Sequence, residues 1–178
     1  ELVRDLSGGQ LRMHEQGEKY LPREPAELIE DYQNRLARSL FFNAFSHTVE
    51  GLAGFVFWRD PKLGEDVPRQ IAGHWENIDN VGTHGDVFAR ELLQDALTAG
   101  HAAILVDYPK VAEGATRADE LRIGARPYWI AIRKDDILSW RTEVIAGQRV
   151  LTQLVIRERT VEPAGEFGEK DVERYRVL

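Results

Sequence analysis

One stretch, Tyr20 to Trp58, limits the possible folds of this chain more than any other. It enters on Pro22 and Pro25, and from Leu28 its apolar residues recur at helical spacing. Leu28, Tyr32, Leu36, Leu40, Ala44, Thr48 and Leu52 form one row, and Ile29, Ala37, Phe41, Phe45 and Val49 form the next. Glu30, Asp31, Asn34 and Arg38 lie off both rows. Two rows four residues apart give a broad apolar stripe, the pattern of a helix that must bury one side. The spacing predicts one long helix reaching about Phe57, or a helix pair. Unbroken, such a helix would be on the order of 45–50 Å long. Gly51 and Gly54 are the expected points of a break or bend, and Pro25 is expected as the first helical residue.

The rest of the chain divides around this segment. Residues 1–23 are polar and carry Gly8, Gly9 and Gly17, which predicts a short helix or an extended arm. With the helical segment they make an N-terminal region, 1–58, and 59–178 make a second, α+β region. Arg59 to Gly85 reads as a connection with a short helical turn near Trp75 to Asn77. A helix is predicted from Asp86, taken as its N-cap, to Ala99, with Gly100 as its stop. A buried strand, Ala102 to Val106, follows and ends at Pro109. Lys110 to Arg126 reads as a charged flap with a short helix around Ala118 to Arg122.

The period then changes from helical to alternating. Tyr128, Ile130 and Ile132 alternate with Trp129, Ala131 and Arg133, which predicts a strand. Asp135 and Asp136 open a turn, and Trp140 to Ile145 is the next strand. Ala146-Gly147-Gln148 makes a hairpin connection to Arg149 to Arg159. A loop bearing Pro and Gly leads to a last strand, Val172 to Leu178. The expected class is α+β: a long helix or helix pair, a helix–strand unit, then an antiparallel β-meander. The chain opens on Glu1 and stops at Leu178 inside strand patterning, so a fragment of a longer protein is expected.

Chemistry is sparse in this sequence. A chain of 178 residues buries roughly 70% of its unfolded surface and needs no staple. It has no cysteine, which excludes disulfides, thiol nucleophiles and Cys-ligated zinc. With 30 acidic against 23 basic side chains the formal charge is −7, which argues against tight nonspecific phosphate binding. No apolar run approaches the roughly 18 residues of a membrane span, and no membrane partner is expected. There is no Walker A string, no G-x-G-x-x-G and no G-x-S-x-G elbow. The nearest metal-like constellation is His74, Asp79, His84 and Asp86, before the second predicted helix. Polar residues there are ordinarily turn formers and caps, and that reading outweighs the metal one. Asp107, at the end of an apolar strand, sits where active carboxylates are found, yet Asp-Tyr-Pro is equally a turn initiator, which is favoured. No catalytic residue, cofactor or metal is therefore assigned. Trp58, Trp75, Trp129, Trp140, Phe41, Phe42, Phe45, Phe55 and Phe57 read mostly as core. Phe42 stands beside the two apolar rows and is the best candidate for a subunit contact, with Arg35 and Arg38 on the same segment either solvated or bridging subunits.

Several strings, in order, resemble a phage portal-like family, the head-to-tail connectors of tailed bacteriophages. They are Gly17 with Tyr20-Leu21-Pro22, and Tyr32-Gln33-x-Arg35-Leu36-x-Arg38-Ser39 with Phe41-Phe42-Asn43. Thr48-Val49-Glu50-Gly51-Leu52-x-Gly54-x-Val56-Phe57 follows, then Ala103 to Pro109 after Gly100. Arg126-Pro127-Tyr128-Trp129, Trp140-Arg141 and Val155-Ile156-Arg157-Glu158 complete the set. The resemblance spans nearly the whole chain, and the ordered co-occurrence carries it. It implies the N-terminal, wing-like part of a non-enzymatic ring protein, commonly dodecameric, with a stem helix pair beyond Leu178. It implies residence at the portal vertex of the virion, and in host cytoplasm during assembly. The implied partners are copies of itself, the terminase large subunit, capsid protein, head-completion or adaptor proteins, and double-stranded DNA passing without sequence specificity. Two other expectations stand beside it: a phage-encoded metal-dependent hydrolase using His74, His84, Asp86 and Asp107, and a head–tail adaptor that forms no DNA channel.

Overall fold

The structure, a computed structural model, describes residues 1–112, 114–165 and 168–178. Its class is α+β, with helices leading and antiparallel sheets following. Residue 113 of the expected flap, and residues 166 and 167 of the last expected loop, lie outside the described part.

The polar N-terminus is helical rather than extended. Helices α1 (Leu2–Ser7) and α2 (Gly9–Gln16) are followed by a 3₁₀ turn, Gly17–Lys19. They are drawn together by Asp5, whose side chain is 1% exposed. Its carboxylate accepts from Lys19 Nζ at 2.6 Å, Tyr20 Oη at 2.7 Å and Arg12 Nε at 3.1 Å. A buried charge is tolerable only when paired and hydrogen-bonded in this way. Of the two expectations for this segment the helical one is observed, as two short helices; helix-period apolar spacing is weak here, so periodicity did not choose between them.

The long apolar stripe is a helix pair. Helix α3 is Ile29–Arg38 and α4 is Ala44–Val56. The break falls at Ser39–Asn43, not at Gly51 or Gly54, which stay helical and where an added methyl group would meet nothing within 4 Å. Local polar chemistry overrides the periodicity. Ser39 turns back on Leu36, donating from its hydroxyl at 2.7 Å to the Leu36 carbonyl, and Asn43 caps α4 by accepting from the Ser46 amide at 3.0 Å. Pro25 lies in a turn, and α3 begins four residues later, after an extended Leu28.

Short helix α5 (Arg69–Ala72) and the 3₁₀ turn Gly73–Asn77 lead into α6 (Gly85–Ala99). The cap of α6 is His84, whose Nδ1 accepts from the Asp86 amide at 3.2 Å, rather than Asp86 itself. Gly100, at φ 89°, closes the helix in the left-handed conformation by donating to the Ala96 carbonyl at 2.8 Å. Helix α6 packs against α4, α1 and β1 (Ala102–Asp107). After α7 (Arg117–Arg122) comes β2 (Tyr128–Arg133), which pairs antiparallel with β1, Leu105 facing Ile130. Strand β1 is half-exposed rather than buried, because that sheet has only two strands and α6 covers one side.

The meander is a separate sheet. Strands β3 (Ile137–Ile145), β4 (Gln148–Ala164) and β5 (Gly168–Val177) pair antiparallel in that order. Ala146 and Gly147 join the first two with φ of 51° and 81°, the geometry of a type I′ turn. Ile156 of β4 is 2% exposed, and with Phe88 and Ile132 it lines a groove between α6 and the sheet. Arg157 and Arg176 tie the sheet down, to Asp136 at 3.2 Å and Asp107 at 2.5 Å.

The core is small. Tyr32, Val49, Ala53, Ile78, Phe88, Ile132 and Ile156 are its buried apolar members among the described residues. Of the aromatic residues expected inside, Phe55, Trp58 and Trp140 are instead on the surface. Trp75, Phe88 and Trp129 do cluster, with ring centroids 5.9–6.4 Å apart and edge-to-face angles.

Candidate assembly surface

The hydrolase constellation does not converge. His84 caps α6 and lies 3.5 Å from Asp86 and 3.7 Å from Glu76. Asp86 accepts the Trp75 indole N–H at 3.0 Å. Asp79 accepts the amides of Val81 and Thr83, both at 3.0 Å, and so closes the turn before α6. Burial pushes the Asp79 carboxyl up, but Thr83 and these amides outweigh it and hold the group below the usual range. Asp107 accepts from the Tyr108 amide at 2.8 Å and pairs with Arg176. Arg176 first, then that amide, keep its carboxyl low, the state of an ion-pair partner rather than of a general acid. Among the described residues no group of three or more His, Asp or Glu side chains is placed to hold a metal ion.

The three expected contact residues meet different fates. Arg35 is engaged internally: its guanidinium grips Glu27 through two hydrogen bonds of 2.8 and 2.7 Å, donates to the Pro22 carbonyl and lies 5.4 Å from the centre of the Tyr32 ring. Arg35 holds the Glu27 carboxyl low, so the fork pins the Pro22–Pro25 entry onto α3. Arg38 donates to the Asn34 carbonyl on an exposed flank. Phe42 stands out in solvent between α3 and α4, 80% exposed, with the His47 ring 6.0 Å away.

Phe42 is one of several large apolar side chains left exposed between Leu40 and Trp58. Leu40 beside it is 89% exposed. The far end of α4 adds Leu52, Phe55 and Val56, followed by Trp58, all exposed, while Val49 and Ala53 of the same helix are buried. Apolar groups of this size in one helical segment mark a contact surface. The signal was present in the stripe itself, which is wider than one neighbouring helix can bury.

The whole molecule repeats this local result. It exposes 13767 Å² of surface at 20.3 kDa. A compact monomer of that mass exposes about 8,800 Å². The excess, about 5,000 Å², is on the scale of two obligate interfaces per subunit. No helix of the described residues is long and apolar enough to cross a membrane. In comparison with known proteins, no family model matches the chain, and no curated protein is significantly similar to it.

Proposed function

We propose that this chain is a subunit of a phage portal-type connector, a structural ring through which DNA is packaged and ejected. The observation that carries the proposal is the large surplus of surface, with Leu40, Phe42, Leu52, Phe55, Val56 and Trp58 of the α3–α4 segment among its exposed apolar residues. A subunit in a ring meets two neighbours through different faces, and each face is solvated only when the subunit stands alone. The ordered strings from Gly17 to Glu158, which resemble the portal-like family, support this reading. The net charge of −7 suits a channel past which DNA must slide without being gripped. On this reading the chain acts at the capsid vertex, is not an enzyme, and docks terminase, capsid and head-completion proteins. Leu40, Phe42, Phe55 and Trp58 would lie in subunit contacts.

The test is assembly of the intact protein carrying Phe42→Ser with Trp58→Ser, followed by mass measurement. Loss of higher assemblies with an unchanged circular dichroism spectrum is expected. Assemblies indistinguishable from wild type would remove α3–α4 from the contact and leave the proposal without its main support.

A further inference from the structure

An unpaired sheet edge is a template for another strand, and proteins guard such edges with charge. The two edges of the β3–β4–β5 sheet are guarded unequally. Strand β5 carries Glu169, Lys170, Asp171, Glu173, Arg174 and Arg176. Strand β3 carries only Arg141 and Glu143, while Leu138, Trp140, Val144 and Ile145 are exposed. Among the described residues no other backbone segment pairs with its outer side. The pairing with β4 is irregular at Ile137/Ser139 and Arg141/Thr142. At the second point the extra residue is Thr152 of β4, so Ser139–Ile145 itself runs on as an uninterrupted strand.

We propose that β3 pairs antiparallel with β3 of a second copy about a two-fold axis at Thr142, fusing two sheets into one. Residues opposite each other in an antiparallel pair share a face, so a two-fold pairing must centre on a residue. Centring on Thr142 sets Arg141 against Glu143 and Trp140 against Val144, each twice, with Ser139 against Ile145. Opposite charges and aromatic–β-branched pairs stabilise such neighbours. Centring on Arg141 or Glu143 sets two like charges together, which repel. Centring on Trp140 or Val144 leaves Arg141 or Glu143 facing an uncharged residue. One register therefore satisfies both charges, and one short segment supplies both halves of the complementarity. That is why the occupant is a second copy. The contact is isologous and closes at two, unlike a ring contact. It describes the free subunit and uses neither α3 nor α4.

Sedimentation equilibrium on wild type, Arg141→Glu and Glu143→Arg tests the pairing. Each single variant should dimerise at least about tenfold more weakly, since two attractive pairs become repulsive. An equimolar mixture of the two should regain wild-type association, because an acidic edge then faces a basic one. Variants that dimerise like wild type, or a mixture no tighter than its components, overturn the proposal. A second readout changes no charge. The chain has no cysteine, so Thr142→Cys places a single thiol on the axis. Directly opposed Cα atoms lie about 4.5–5.5 Å apart, within disulfide range. Mild oxidation should give a covalent dimer with Thr142→Cys and none with Thr160→Cys on β4; monomer from both contradicts the proposal. Arg141→Glu protein should still form any ring the wild type forms, which separates the fate of this contact from that of the ring.

Discussion

Gly85→Ala is expected to destabilise this protein even though alanine is the better helix former. Gly85 is the first residue of α6 and lies under the Trp75 ring. A methyl group there would stand 2.3, 2.4 and 2.6 Å from three ring carbons of Trp75. Comfortable carbon contacts begin near 3.5 Å, so the ring must retreat by about 1 Å. It has little freedom to do so: its N–H is held by Asp86, and His84 and Trp129 both stand 6.4 Å away, edge-on. Overpacking of this kind costs about 1–3 kcal/mol, offset in part by a propensity gain of at most about 1 kcal/mol. A net loss of about 1–2 kcal/mol lowers the melting temperature by about 3–5 °C for a chain of this length. Gly51→Ala supplies the opposite sign. Position 51 lies inside α4, and an added methyl meets nothing within 4 Å, so a gain of about 0.5–1 kcal/mol is expected. Thermal and denaturant unfolding followed by tryptophan fluorescence reads both variants. A Gly85→Ala protein as stable as wild type would show that the Trp75 cluster is not packed as described.

Other consequences follow from single residues. Lys19, then Tyr20 and Arg12, hold the Asp5 carboxyl at about 2, below its unfolded value near 3.9. Its contribution is therefore full above the unfolded value and is lost as pH falls toward 2, so melting temperatures should drop over that window and drop less for Asp5→Asn. Ile156→Ala removes the best-buried side chain under the β3–β4–β5 sheet and should cost about 2–4 kcal/mol in urea unfolding; a loss below 1 kcal/mol would mean that the sheet is held by its ion pairs instead. Ala146 has a φ of 51°, where asparagine is better tolerated, so Ala146→Asn should raise stability by about 0.5–1 kcal/mol in the same assay.

Legibility varied with the physical origin of each element. Strand β2, helix α6 and the Ala146-Gly147 turn were readable because alternation, capping glycine and turn chemistry act locally. The α3–α4 break was hidden, since Leu36, Leu40, Ala44 and Thr48 keep the helical period straight through it. Asn43 followed by Ser46 was the available sign, a capping pair inside an apolar run. His84 as a cap escaped because histidine is not a usual one. The Arg35–Glu27 fork and the Asp5 cluster join residues far apart in the chain, which spacing cannot reveal. Nor can spacing separate an aromatic residue packed in a cluster, such as Trp129, from one left on the surface, such as Trp58 or Trp140.

The central claim is that this chain is built to be one subunit of a ring. Negative-stain imaging of the intact protein, with its mass determined on the same sample, tests that directly. Rings with a central hole and about a dozen subunits are predicted. Monomers, or dimers joined through β3, at every concentration tried would contradict it.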